Sequence, residues 1–169
     1  MTIITRGRIG SLGNIARWRG WTTRPFSVCE HTTIGTEVAR QMGASIMDQK
    51  AFLMHDIHET EIIGDVPTPD KREYVNEKFH VDVRRFDRNL SLETGVPYLA
   101  MTGSIVKYYD NIMLKAENHS IVDRRDPEVT FSGINEAQVL AYDLIRSETH
   151  RGERAVEMWW GHYRRLWDA

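Results

Sequence analysis

Cysteine is almost absent from this chain: Cys29 is the single one among 169 residues. No internal disulfide can form, so packing and hydrogen bonds must hold the fold, and this usage agrees with a reducing compartment. No run of about 18 apolar residues occurs, so no transmembrane helix is expected. The opening segment Met1-Thr2-Ile3-Ile4-Thr5-Arg6-Gly7-Arg8 lacks the apolar stretch of a secretory leader, and the expected location is the cytoplasm of a cell or of an infected host. Neither sign of charge dominates. A net charge of −2 offers no global electrostatic reason to bind a nucleic-acid polymer. No segment alternates apolar and polar residues as a half-buried strand would, and there are no repeats or low-complexity tracts. What remains is ordinary for a globular protein: 41% hydrophobic and 27% charged residues. The length suits one domain, residues 1–169, with a sizeable core.

The apolar spacing is helical. Ile34, Val38 and Met42 recur every four residues and Gly43 supplies a stop. His31 lies one turn before Ile34. A second helix is expected over 48–60, carrying His55, Asp56 and Glu59. Val75, Phe79, Val83, Phe86 and Leu90 mark a third helix. Ile105, Tyr109, Ile112, Met113 and Ala116 mark a fourth, with Asp110 beside its apolar stripe. Two more follow over 135–148 and 153–167, and a short one is expected over 11–18. Pro67 and Pro69 require a loop, and Gly95-Val96-Pro97 breaks the chain. The longest irregular connection spans 121–133. These patterns predict an all-α fold, a single bundle of six or seven helices.

One stretch carries the chemistry. In Phe52-Leu53-Met54-His55-Asp56-Ile57-His58-Glu59 an apolar run ends in a cluster of ionisable groups. Buried charges are costly unless paired or bound to a metal. Adjacent residues on a helix diverge by roughly 100°. His55 and Asp56 can therefore share an ion only if the helix meets a cleft end-on and other helices bring further ligands. His31 and Asp110 are placed to do so. Two imidazoles and two carboxylates suit a divalent transition ion such as Zn, Mn, Co or Fe. The alternatives are that His31 caps a helix and that Asp110 pairs with Lys107. Glu59 follows Asp56 by three residues, on the same helical face, as a proton acceptor or as a surface carboxylate. His58 reads equally as a phosphate contact or an exposed histidine. Trp159, Trp160, Tyr163 and Trp167 form a stripe at helical spacing that suits core or a subunit contact. His80, His119, His150 and His162 lack partner spacing and read as structural or exposed.

Four segments in order carry a family resemblance: Cys29-Glu30-His31-Thr32, His55-Asp56-x-x-Glu59, Gly64-Asp65-Val66-Pro67-Thr68-Pro69 and Lys107-x-x-Asp110. Together they resemble the HD-domain phosphohydrolases, in the branch of the YfbR-like 5'-deoxynucleotidases. That branch includes small phage deoxynucleoside triphosphohydrolases of the dATP type. The resemblance spans roughly residues 14–118, and the Glu59-to-Asp65 interval is one residue longer than the family pattern. It implies an HD-domain helical bundle with His31, His55, Asp56 and Asp110 as metal ligands, and an additional Mg ion is compatible with it. It further implies that Glu59 holds the attacking water and that Asp65 lies near the leaving oxygen or the sugar, with Thr68 in the same substrate-binding loop. Arg17 would contact phosphate and Trp18 would stack by the base, with Trp21 as a rival, while Lys71 and Lys107 would meet phosphate. The expected reaction converts a deoxynucleoside triphosphate, dATP being one candidate, to deoxynucleoside and triphosphate. Chain length and the cations Arg17, Lys71 and Lys107 favour that substrate. A 5'-deoxynucleotidase acting on monophosphates is the alternative, and a non-catalytic nucleotide sensor is a further one. Gly20, two residues beyond Trp18, would not block a purine 2-amino group. The implied partners are a small deoxynucleotide and further copies of the chain, as a dimer or hexamer, with no nucleic-acid polymer and no membrane. The implied setting is the cytoplasm of a bacterium or of a phage-infected host.

Overall fold

Helix α2, Val28–Gln41, is buried on nearly every side and organises the other elements. Its start is fixed locally. The Ser27 hydroxyl accepts the Glu30 backbone N–H at 3.1 Å, and the Glu30 carboxylate accepts the Ser27 N–H at 2.9 Å. This reciprocal capping box satisfies two amide donors that the first turn would otherwise leave unpaired. Its end is set by Gly43, which takes the left-handed conformation at φ 76°. Between them, Thr33 and Thr36 are buried yet satisfied, because their hydroxyls donate to the Cys29 and Thr32 carbonyls at 2.6 and 2.7 Å. Cys29 is fully buried, and burial pushes its thiol up to about 12.

The computed structural model describes residues 2–62, 77–123, 125–147 and 151–168. Around α2 stand α1 (Arg6–Asn14), α3 (Ile46–Met54), α4 (Glu77–Thr94), the single turn α5 (Tyr98–Met101), α6 (Ser104–Ser120), α7 (Glu136–Arg146) and α8 (Glu153–Trp167). Helices α1, α3, α6, α7 and α8 all pack on α2. Among the described residues there is no strand; only the isolated bridges Ala16–Ser27 and Thr22–Val122 occur. The fold is an all-α bundle, as the periodicity predicts. No described helix is long and apolar enough to cross a membrane.

Two helices differ from expectation. The N-terminal helix covers Arg6–Asn14, not 11–18, and Thr5 caps it by accepting the Arg8 N–H. Gly7, Gly10 and Gly13 weaken its intrinsic propensity, and burial of Ile9 and Leu12 compensates. The second helix stops at Met54, and Ile57–Thr60 forms a separate 3-10 turn. The aromatic stripe of α8 is core packing: Trp159 is fully buried, Tyr163 stacks on it at 5.5 Å, and the Trp167 indole N–H donates to the Thr94 carbonyl at 2.8 Å.

The contact between α2 and α3 requires a glycine. A Cβ on Gly35 would overlap the edge of the Phe52 ring. Phe52 in turn packs its ring 4.6 Å from the His55 ring and 5.7 Å from the His31 ring. Replacing Gly35 by Ala should cost about 3 kcal/mol through overpacking, offset by up to about 1 kcal/mol of helix propensity. A net loss of about 2 kcal/mol is expected in denaturant unfolding. Parent stability in Gly35→Ala would show that α2 and α3 can separate freely.

Candidate metal centre

The end of α3 builds the centre. At His55 the backbone turns from α to 3-10 bonding, with its N–H 3.5 Å from the Phe52 carbonyl oxygen. Asp56 then leaves helical geometry at φ −104°, ψ 8°. That change removes the divergence of neighbouring side chains on a continuous helix, and His55 Nε2 lies 3.1 Å from Asp56 Oδ2. His31 arrives from the first turn of α2, its Nε2 at 3.7 Å from the same Asp56 oxygen. Asp110 arrives from the middle of α6, with Oδ1 at 3.2 Å from His31 Nε2. One ligand atom each from His31, His55 and Asp110 lie within 4.8 Å of one another. The four residues proposed from sequence as metal ligands are thus brought together from two helices and the end of a third.

The protonation of both imidazoles follows from their partners. His55 Nδ1 is 2.6 Å from the Phe52 carbonyl oxygen, which can only accept, so Nδ1 carries the hydrogen and Nε2 faces the centre. His31 Nδ1 is 2.6 Å from Glu117 Oε1. Both Nε2 atoms are buried and make no well-formed hydrogen bond, although carboxylate oxygens surround them. Two inward-facing imidazole nitrogens beside two carboxylates form, once a metal displaces any proton on them, the donor set a divalent transition ion requires. The residues present therefore fit such an ion.

The charges are strongly interdependent. Burial and Arg17 pull the His31 imidazole down, but Glu117 and Asp110 outweigh them and raise it to about 9. His55 is opposed by burial and ends raised, chiefly by Asp56. Burial pushes the Asp56 carboxyl up, while His55, His31 and Arg17 together hold it well below its usual range. Burial likewise opposes ionisation of Asp110 and Glu117, and their cationic neighbours lower both. Asp110 has a half-exposed side chain and marks the open side of the centre.

Glu59 lies in the 3-10 turn and is only 5% exposed, which excludes the surface-carboxylate reading. It joins Asp56 and His58 in a second group whose ligand atoms fall within 4.8 Å. His58 is not an exposed histidine. Its Nδ1 lies 3.2 Å from Oδ1 of the buried Asp87 on α4. Arg17 is buried, with Nη1 3.8 Å from Asp56 Oδ2, so it reaches the centre itself. Trp18 is half-buried and Trp21 is exposed. Lys107 is exposed one turn before Asp110, whose carboxylate faces His31. Asp65, Thr68 and Lys71 lie outside the described residues, as does His150.

Sequence reasoning missed Glu117. It is fully buried on α6, and its Oε2 accepts the Trp18 indole N–H at 2.8 Å and Arg17 Nη2 at 3.2 Å. The available signal was its spacing: seven residues after Asp110, two turns along the same helix face. Asp87 was also missed. It sits three residues before the buried Leu90, inside the apolar stripe of its helix. No family model matches the chain, and no curated protein matches it.

Two measurements test the centre. Asp56→Ala removes the carboxylate that lies 3.1 Å from His55 Nε2 and 3.7 Å from His31 Nε2, and elemental analysis should find no transition metal in that variant; full occupancy would overturn the ligand set. The second uses metal-free protein. A histidine whose folded pKa is raised stabilises the fold fully below its unfolded value, near 6.5, and loses that contribution as pH rises through the folded value. With His31 raised to about 9, stability in chelator should fall between about pH 6.5 and pH 9. A denaturation midpoint that climbs over this interval would contradict the assigned charge balance.

Proposed function

We propose that this chain is a metal-dependent HD-type phosphohydrolase that cleaves small deoxynucleotides at the 5'-phosphorus. A deoxynucleoside triphosphate is the first substrate class, with deoxynucleoside and triphosphate as products. The observation that carries this reading is the pair of buried imidazole nitrogens, His31 Nε2 and His55 Nε2, turned toward each other with Asp56 and Asp110 beside them. A divalent transition ion held by these four residues would lower the pKa of a water and polarise a phosphoryl oxygen.

The chain's own groups supply the rest. Glu59, buried one turn beyond Asp56, accepts the proton of the attacking water. Water oxygen adds to phosphorus, the bond from phosphorus to the sugar 5'-oxygen breaks, and that oxygen takes a proton. Asp65 is proposed as the group that relays this proton, with Thr68 beside the substrate. Arg17 brings positive charge to the edge of the centre, where a phosphoryl oxygen would sit, and Trp18 offers a flat face next to it. Lys71 and Lys107 would meet the outer phosphates.

The position of Arg17 favours a second reading. Its guanidinium is buried and held by Glu117 and Asp56, so its charge is already engaged within the centre. A 5'-deoxynucleotidase acting on monophosphates needs no outer contacts.

A panel of deoxynucleoside mono-, di- and triphosphates, with products separated by ion exchange, decides between these readings. Nucleoside plus intact tripolyphosphate is expected from the triphosphate, and preference for the monophosphate would select the second reading. Glu59→Ala should retain metal and lose rate by roughly 10²–10⁴-fold. Sequential release of single phosphates from the triphosphate would place the attack at another phosphorus. No turnover of any nucleotide by metal-loaded protein would leave only a binding role.

A further inference from the structure

We propose that Glu117 is a positioning residue that fixes how His31 presents itself to the metal and ties that ligand to the Arg17–Trp18 segment. The inference rests on the metal reading above and adds a residue that the family resemblance does not supply. Glu117 divides its two oxygens: Oε1 lies 2.6 Å from His31 Nδ1, while Oε2 accepts from Trp18 Nε1 at 2.8 Å and from Arg17 Nη2 at 3.2 Å. Its side chain is fully enclosed. The segment it grips is unusual, because Trp18 and Arg19 are consecutive non-glycine residues in the left-handed region, at φ 55° and 52°. Such conformations persist only where surrounding contacts enforce them. Backbone bonds hold the same segment: Arg17 N–H donates to the Phe26 carbonyl at 2.9 Å, and Trp21 N–H to the Trp18 carbonyl at 2.9 Å.

An ionised carboxylate is the one side chain of this size that accepts at both oxygens. With Oε1 accepting from Nδ1–H, the one proton that His31 keeps when a metal binds sits on Nδ1, and Nε2 is left as the metal donor. An isosteric amide cannot serve both sides. If Glu117→Gln turns its oxygen toward His31, its NH2 faces the Trp18 and Arg17 donors. If it turns its NH2 toward His31, Nδ1 must accept, the proton moves to Nε2, and Nε2 can no longer bind a cation. Either arrangement weakens the centre while leaving its volume unchanged.

The test uses the full chain, with zinc and cobalt as probes. Zinc affinity is measured by competition with a chromophoric chelator for parent and Glu117→Gln, and thermal melting of both is recorded in excess chelator. A loss of metal affinity of roughly 10–100-fold is expected, as for other partners of ligating histidines, with an altered cobalt absorption spectrum. Parent zinc affinity in Glu117→Gln overturns the proposal. So does a lower melting temperature in chelator combined with unchanged affinity, since that marks a purely structural role. Failure of the parent itself to bind zinc or cobalt overturns the metal reading together with this one. If the variant does not fold, histidine nitrogen NMR of zinc-loaded parent still decides. Protonated Nδ1 with zinc on Nε2 of His31 supports the assignment, and zinc on Nδ1 refutes it.

Discussion

Mutual compensation of buried charge is the constraint on which the centre depends. Asp56 and Glu117 are buried beside His31, and Asp110 crowds against the same imidazole. None of these carboxylates would stay ionised in an apolar core alone. His31, His55 and Arg17 share out the balancing positive charge, so no member can be altered without moving the others. This explains why the groups arrive from α2, from the end of α3, from α6 and from the segment before α2. A set assembled from separate elements can be compensated only once those elements have packed. The charge balance and the tertiary fold are therefore formed together.

Packing and chemistry meet at Phe52. Its ring fills the space left by the missing side chain of Gly35, its carbonyl orients His55, and the ring packs at a tilt against both imidazoles. The close approach of α2 to α3 sets the distance between the two histidines. Interiors packed at this density transmit small displacements rather than absorb them.

Much of this was legible from sequence. The apolar period located α6, α7 and α8 closely, since their stripes are long and undisturbed. The capping pair Ser27 and Glu30 was readable in principle at the start of α2. The early stop of α3 was not, because no glycine or proline stands at 55–57 to announce it. Tertiary contacts at His55 and Asp56 override a local sequence that would continue the helix. The candidate ligands could be named because His55 and Asp56 close an apolar run and because the ordered motifs around them resemble a known family. Glu117 escaped notice because glutamate is a good helix former, and nothing local distinguishes a buried one from a solvated one. Its partners, His31 and Trp18, are distant in sequence, so only the fold reveals them.

Cys29 lies two residues from His31 on the most enclosed helix of the bundle, and its thiol is pushed up to about 12. The reactive species of a thiol is its thiolate, so in the closed state this sulfur is chemically silent. Labelling at Cys29 must wait for α2 to become exposed. As the chain's only thiol, it acts as a clock that runs only while the bundle is open, and the helix it timestamps is the one that carries His31, the first residue of the candidate metal centre.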